Sequence, residues 1–329
     1  MRLPQNCAQI CALALVLAGT QAPALAQDYP TKPITIVVPL AAGSGMDSLV
    51  RLYADKLQQS LGKPVIVENK PGAALMLAAA AVAVAPPDGY TLMVSTSSAM
   101  AINLVLYKKV NYDAVKDFIP VSFYVKSPLI LVVNPDLPVK SVPDLIKLAK
   151  DSPTPLNFSS PGAGTALHLS VEYMKSKFGL NMTHVPYRST PQSIQDVVAG
   201  HVQLSFSEAG LALPLIREGK LRALAVSSST RLSQLPDVPP FAEAANAPGF
   251  EAVSWHMLFA PAATPRPIVD KLHEAMNKIM ADPEIKEKAV TIGLQPIDPP
   301  SIADTEKYLA SERQKWGDLV RQLGLEGSQ

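Results

Sequence analysis

Residues 34–95 read ITIVVPLAAGSGMDSLVRLYADKLQQSLGKPVIVENKPGAALMLAAAAVAVAPPDGYTLMVS. Ile34 to Pro39 is a β-branched apolar run, the pattern of a strand buried on both faces. A glycine-containing turn follows, Ala41-Ala42-Gly43-Ser44-Gly45. Leu49, Val50, Leu52, Tyr53, Leu57 and Leu61 then recur at helical spacing, and Gly62 is placed to stop the helix. Pro64 to Glu68 is a second strand, Asn69 to Pro71 a turn, and an alanine-rich helix runs to about Ala85. The turn Pro86-Pro87-Asp88-Gly89 leads to a third strand, Tyr90 to Ser95. Strand, helix, strand, helix, strand is the order of a parallel sheet flanked by helices.

The theme returns downstream. Pro128 to Asn134 is a buried strand, and Ser141 with Pro143 starts a helix ending near Lys150. Leu156 to Ser159 is a strand that opens into Ser160-Pro161-Gly162-Ala163-Gly164-Thr165. Leu167, Leu169, Val171, Met174 and Phe178 mark the next helix, with Gly179 as its stop. His184 to Tyr187 is a short strand. Thr190-Pro191 caps a helix that runs to Gly200. Val202 to Phe206 and Arg222 to Val226 are strands, and Trp255 to Pro261 is the last one expected. Helices alone are expected beyond it: Thr264-Pro265 caps one, Asp282-Pro283 another, and Ile302 to Leu323 forms a third.

The N-terminus has the layout of a secretory signal peptide. Arg2 is its charged start, Ile10 to Gly19 its short apolar stretch, and Ala24-Leu25-Ala26 its cleavage site. Cys11 lies inside the apolar stretch and not after it, which argues against a lipoprotein anchor. Cleavage after Ala26 leaves 329 − 26 = 303 residues. Both cysteines, Cys7 and Cys11, leave with the peptide, so the mature chain depends on core packing and not on disulfides. Arg2 leaves too, and 28 basic residues then balance 28 acidic ones. That balance gives no electrostatic footprint for nucleic acid. The apolar share of 48% excludes a disordered chain, and the length fits two domains. Ala73 to Pro86 is too short for a membrane span.

Catalytic patterns are missing. The five histidines lack helical metal-site spacing, and neither a nucleophile elbow nor a Walker loop is present. Gly43-x-Gly45 and Gly162-x-Gly164 begin a dinucleotide fingerprint, but Ser48 and Leu167 stand where its third glycine belongs. No cofactor is expected. The two loops still have a chemistry of their own. Amides at a helix start have no intrahelical partner, and glycines let a ligand approach the backbone closely. Each loop is a ready anion site. Ser44 and Asp47 form a capping-box-like pair, which equally describes a plain helix start. Trp255 and Trp316 read as packing residues. Tyr187 and Glu208 each follow a strand, and either points into a cleft or serves locally.

Taken together, YPTKPITIVVPLAAGSGMD (Tyr29–Asp47), VIVENKPGA (Val65–Ala73), PPDGYTL (Pro86–Leu92), SSPGAGTALHLS (Ser159–Ser170), HVPYR (His184–Arg188), GKLRALAVSSSTR (Gly219–Arg231), LPDVPPFAEA (Leu235–Ala244) and PGFEAVSWHMLFAP (Pro248–Pro261) form a familiar series. The chain resembles the Bug (Bordetella uptake gene) family, periplasmic substrate-binding proteins of tripartite tricarboxylate transporters. The resemblance covers essentially the whole mature chain. It implies an α/β, two-domain binding protein of type II-like architecture, each domain a mainly parallel sheet flanked by helices. Residues 27–127 and 247–329 would form the first domain, and 128–246 the second. A small carboxylate would be held in the cleft between them, in the periplasm, by a monomer that is not an enzyme and that serves membrane permease subunits.

The implied ligand residues are Ala42, Gly43, Ser44, Gly45, Met46 and Asp47 in the first loop. Ser160, Gly162, Ala163, Gly164 and Thr165 form the second. His168, Tyr187, Glu208 and Thr96 stand near strand ends, and Leu75 and Met76 complete the set. Two departures from the family pattern matter. The first loop reads Gly43-Ser44-Gly45-Met46-Asp47, where the family usually has adjacent glycines. Ala74-Leu75-Met76 stands where the family usually has a glycine pair and an asparagine. A leucine at a position suited to positive φ implies a different local backbone, and a ligand with an apolar body. The competing readings are an orphan sensor with a membrane partner and a secreted α/β enzyme.

Overall fold

The computed structural model describes residues 29–329. The expected signal peptide, with Cys7 and Cys11, lies outside the described residues. β1 (Ile34–Val38) leads to α1 (Gly45–Leu61), β2 (Val65–Asn69), a 3-10 turn over Ala73–Leu75, α2 (Met76–Ala83) and β3 (Thr91–Ser95). A π-helical turn over Ser98–Ile102 runs into the short α3 (Asn103–Leu106). β4 (Phe118–Ser127) and β5 (Leu129–Val133) follow, separated by Pro128 alone. Next come α4 (Val142–Asp151), β6 (Leu156–Ser160), α5 (Ala166–Phe178), β7 (Met182–Pro186) and α6 (Thr190–Val198). Then β8 (Leu204–Glu208), α7 (Ala209–Arg217), β9 (Arg222–Val226), α8 (Phe241–Ala244) and β10 (Ser254–Pro261). The chain ends with α9 (Arg266–Ala281), α10 (Pro283–Thr291), β11 (Gln295–Pro296) and α11 (Ile302–Gln322).

Two sheets result, in the orders β11-β4-β10-β3-β1-β2 and β7-β6-β8-β5-β9. The two orders are alike. β1 lies between β2 and β3, parallel to both, as β6 lies between β7 and β8. β10 enters between β3 and β4, and β5 between β8 and β9. Each entering strand arrives from the other half of the molecule and runs antiparallel to both neighbours. Each sheet is therefore parallel on one flank and mixed where the chain crosses over.

Several local expectations change. β4 is ten residues long and is not among the expected strands. Its interior Pro120 and its junction with β5 hide its ends. β11 follows the strand expected to be last, as a two-residue edge piece on β4. Ser189, not Thr190, caps α6 by accepting from the Gln192 amide. The Thr264 hydroxyl donates to the Pro261 carbonyl and leaves Pro265 as the N-cap of α9. Ala247, Phe250 and Ala252 pack in the second sheet's core, beyond the expected boundary at 246/247.

The cores explain why these segments pair. Leu49, Val50, Tyr53 and Leu57 of α1 meet Val269, Leu272 and Met276 of α9 beside β1. On the opposite side, Ala78, Ala79 and Val82 of α2 lie against Trp255, Met257 and Phe259 of β10. Small residues let that helix come close to the sheet. α11 serves both halves: Ile302 and Leu309 pack with the first sheet, Trp316, Leu319 and Val320 with the second. The indole N–H groups of Trp255 and Trp316 both donate to Glu312 Oε2, at 2.9 and 3.0 Å. Among the described residues no helix is long and apolar enough to cross a membrane.

Candidate functional site

The first loop is built around Asp47. Ser44 Oγ accepts from the Asp47 amide at 3.2 Å and caps α1. The Asp47 carboxylate passes over the Ser44 amide and takes the Gly43 amide instead, at 2.8 Å. It also accepts from Arg51 Nε at 3.0 Å and from Asn69 Nδ2 at 2.9 Å. Burial works against its charge, but Arg51, the Gly43 amide and Asn69 together hold its carboxyl below the usual range. Asp47 is only 2% exposed, and its oxygens are occupied by Gly43, Arg51 and Asn69. The Met46 side chain lies in the first core. What remains for an anion is backbone: the amides of Gly45 and Met46, at the start of α1, have no partner among the described residues. Ala42, Gly43 and Gly45 are exposed, and Ser44 is half-buried.

The second loop has a comparable plan with different supports. Gly162 and Gly164 take φ values of 131° and 80°. Thr165 caps α5: its Oγ1 accepts from the His168 amide at 3.3 Å and donates to the Gly162 carbonyl at 2.9 Å. Ser160 Oγ accepts from the Gly162 amide at 3.2 Å and stands 2.7 Å from His184 Nε2. The Gly164 amide turns inward to His168 Nδ1, at 3.4 Å. The His168 and His184 rings pack 4.1 Å apart, and Phe158 stacks on His184. Burial, then the neighbouring His184 and Lys175 charges, lowers the His168 pKa to about 3. Burial and then Lys175 lower His184 to about 4. Both rings are neutral at neutral pH and act as a floor beneath the loop. The amides of Ala163, Thr165, Ala166 and Leu167 have no partners among the described residues.

The other expected residues divide. Thr96 Oγ1 accepts from the Ser98 amide at 3.3 Å and is buried beyond β3. The Tyr187 hydroxyl donates to Asp196 Oδ2 at 2.5 Å, so it is bound to α6 and not free. Glu208 ends β8 and precedes α7, and burial raises its pKa. Leu75 and Met76 are half-buried against the core around Trp255. Ala73, Ala74 and Leu75 all keep positive φ, at 46°, 50° and 73°, without a glycine among them. Local hydrogen bonding overrides their preference: Leu75 N reaches the Gly72 carbonyl at 3.0 Å, and Asn103 Nδ2 donates to the Ala74 carbonyl at 2.8 Å.

The two loops stand on facing ends of the sheets. β1, β3, β6 and β8 each hand the chain to a helical turn at their C-terminal ends, the usual place for a ligand in open α/β sheets. A Cβ placed on Gly164 would lie 2.2 Å from Leu106 Cδ2 and 3.2 Å from Asn103 Oδ1. The second loop therefore rests on the segment after β3 of the other sheet. Asn103 is fully buried there and was not marked by any sequence pattern. Its helix of four residues is too short to show a period. No Lys or Arg lies within either loop. Among the described residues no cluster of three metal-ligating side chains occurs. A separate groove of about 470 Å³ runs between Ser229–Gln234 and Leu294–Ile297, and none of the expected ligand residues lines it. Its charges are paired, Lys126 with Glu251 at 3.6 Å and Arg231 with Glu243 at 2.7 Å.

Residues 49–325 match the family described as the tripartite tricarboxylate transporter family receptor. Protein BugT of Bordetella pertussis (strain Tohama I) is 34% identical over 314 residues, 94% of this chain and 95% of BugT. The solved structure of R. palustris Rpa4515 with adipate aligns with a TM-score of 0.83 and 33% identity, covering 90% of this chain and 98% of that one. MatC (Rpa3494) from Rhodopseudomonas palustris with bound malate aligns with a TM-score of 0.80 and 31% identity, covering 89% and 100%. With the fold, the paired glycine loops and the sequence match in agreement, the chain belongs to the tripartite tricarboxylate transporter receptor family.

Proposed function

We propose that this protein is a periplasmic receptor that captures a small organic di- or tricarboxylate, or an aromatic acid, between its two halves and delivers it to a tripartite tricarboxylate-type permease. One observation carries the reading. Two strand–glycine–helix joints on facing sheet ends leave the amides of Gly45, Met46, Thr165 and Ala166 without partners among the described residues. A carboxylate satisfies such amides and meets the positive end of the helix dipole. Adipate in one structural neighbour and malate in another support the ligand class.

The same reading carries the localisation and the domains. Export by the N-terminal segment places the receptor in the periplasm. The chain passes between the halves at Pro128, and it returns just before Ser254 instead of at 246/247. Ligand binding without turnover is its whole activity. A thermal-shift screen over mono-, di- and tricarboxylates and aromatic acids tests this. A ligand at about 100 times its Kd stabilises the native state by about 2.7 kcal/mol. The expected result is a raised Tm with the compound recovered unchanged by mass spectrometry. Conversion of the compound, or no shift with any acid, contradicts the proposal.

A further inference from the structure

Three consecutive non-glycine residues in the left-handed region are unusual. Ala73, Ala74 and Leu75 hold φ of 46°, 50° and 73°. A side chain there crowds the backbone, and such strain persists only where the surroundings over-determine it. Asn103 supplies the hold. Its side chain is fully buried, and its Nδ2 donates to the Ala74 carbonyl at 2.8 Å. That bond fixes the amide's orientation, because the reverse orientation would set two oxygens together. Oδ1 is left with no partner among the described residues. It lies 3.2 Å from the point that a Cβ on Gly164 would occupy. The left-handed segment is therefore one amide's width from the second glycine loop.

Building on the carboxylate-receptor reading, we infer that Asn103 is the positioning residue for ligand specificity. It holds Ala73–Leu75 left-handed against the Gly164 loop and so fixes the half-buried Leu75 side chain beside the cleft. Its effect is to favour an acid with an apolar chain between its carboxylates over a short hydroxylated one. Asn103 acts through this segment and does not itself touch the ligand.

The test uses the full mature chain, with adipate and malate as probes. Asn103→Leu removes the donor to the Ala74 carbonyl together with the orphaned acceptor and should lower the unliganded Tm. Its expected effect is a loss of about tenfold in adipate affinity and a much smaller loss for malate. Ala74→Gly in the same chain lets the backbone take positive φ unaided, and it should restore most of the adipate affinity and the unliganded Tm. Equal loss for both acids, or no recovery with Ala74→Gly, overturns the inference. The unliganded Tm cycle reads the Asn103–Ala74 coupling without any ligand. If the parent binds neither probe, nor any acid of the wider screen, the receptor reading fails while a coupled cycle still upholds Asn103's hold on the segment. An uncoupled cycle overturns that hold whatever the parent binds.

Discussion

Gly164 sits against Leu106 with no room for a methyl group. A Cβ at 164 would lie 2.2 Å from Leu106 Cδ2, and the backbone there is at φ 80°. The glycine in the second loop is thus required by the opposite half of the molecule as well as by its own turn. Its role reaches beyond leaving space for a ligand.

Gly164→Ala should therefore destabilise the protein. The left-handed backbone alone costs about 1–2 kcal/mol for a residue with a side chain. Leu106→Ala in the same chain should recover the steric part and leave the backbone part. Denaturant unfolding of the two single variants and the double variant reads the difference. Simple additivity of the two single effects would separate Gly164 from Leu106.

Asp47 should matter more than its cap partner. Asp47→Ala frees the Gly43 amide, leaves Asn69 Nδ2 with the Leu40 carbonyl alone and takes the carboxylate from Arg51. A hydrogen bond to a charged acceptor is worth about 1.5–3 kcal/mol. Ser44→Ala removes one cap bond, worth about 1 kcal/mol. The larger loss in both Tm and ligand affinity is expected for Asp47→Ala. Equal effects would reduce Asp47 to an ordinary capping residue.

Stability should fall as the pH drops from about 6.5 toward 4.5. His168, His184 and His256 are held at pKa values of about 3, 4 and 4, chiefly by burial. The unfolded chain binds their protons below its own histidine pKa while the native state does not, so the native state loses ground in that window. Each such histidine adds a slope of about 1.4 kcal/mol per pH unit at most. Aspartates scarcely titrate there, because their unfolded pKa is lower. Replacing His168 with Asn should flatten the Tm–pH curve. An unchanged slope would mean that His168 is protonated in the native state.

Glu312 should report on the junction between the halves. Its Oε2 accepts from both Trp255 and Trp316, the two tryptophans of the chain. Glu312→Leu leaves both indole donors buried and unpaired, at about 1–3 kcal/mol each. Glu312→Gln keeps one acceptor and should lose less. Intrinsic fluorescence follows directly, since no other tryptophan contributes. A Glu312→Leu variant as stable as the parent would make the shared oxygen incidental.

Much of this was legible from periodicity. β1, β3 and β9 sit where strands were expected, and Gly62 and Gly179 close α1 and α5 as expected. β4 was not legible, because Pro120 interrupts it and β5 follows after one residue. The loops were legible as strand–glycine–helix joints, but not the division of labour within them. Asp47 and His168 look like ligand residues in sequence, yet both are spent on neighbouring loop amides. That follows from three-dimensional closure, which spacing does not encode. Asn103 was invisible because its significance lies in two contacts at distant positions, Ala74 and Gly164.

Capture of a carboxylate by loop amides is the central claim, and amide chemical shifts read it most directly. Uniformly 15N-labelled mature protein would be titrated with whichever acid raises the Tm. The predicted result is that the largest shifts fall on Gly45, Met46, Thr165 and Ala166, saturating together with one Kd. Shifts concentrated instead around Ser229–Gln234 and Leu294–Ile297, with those four amides unmoved, would place the ligand in the other groove and contradict the claim.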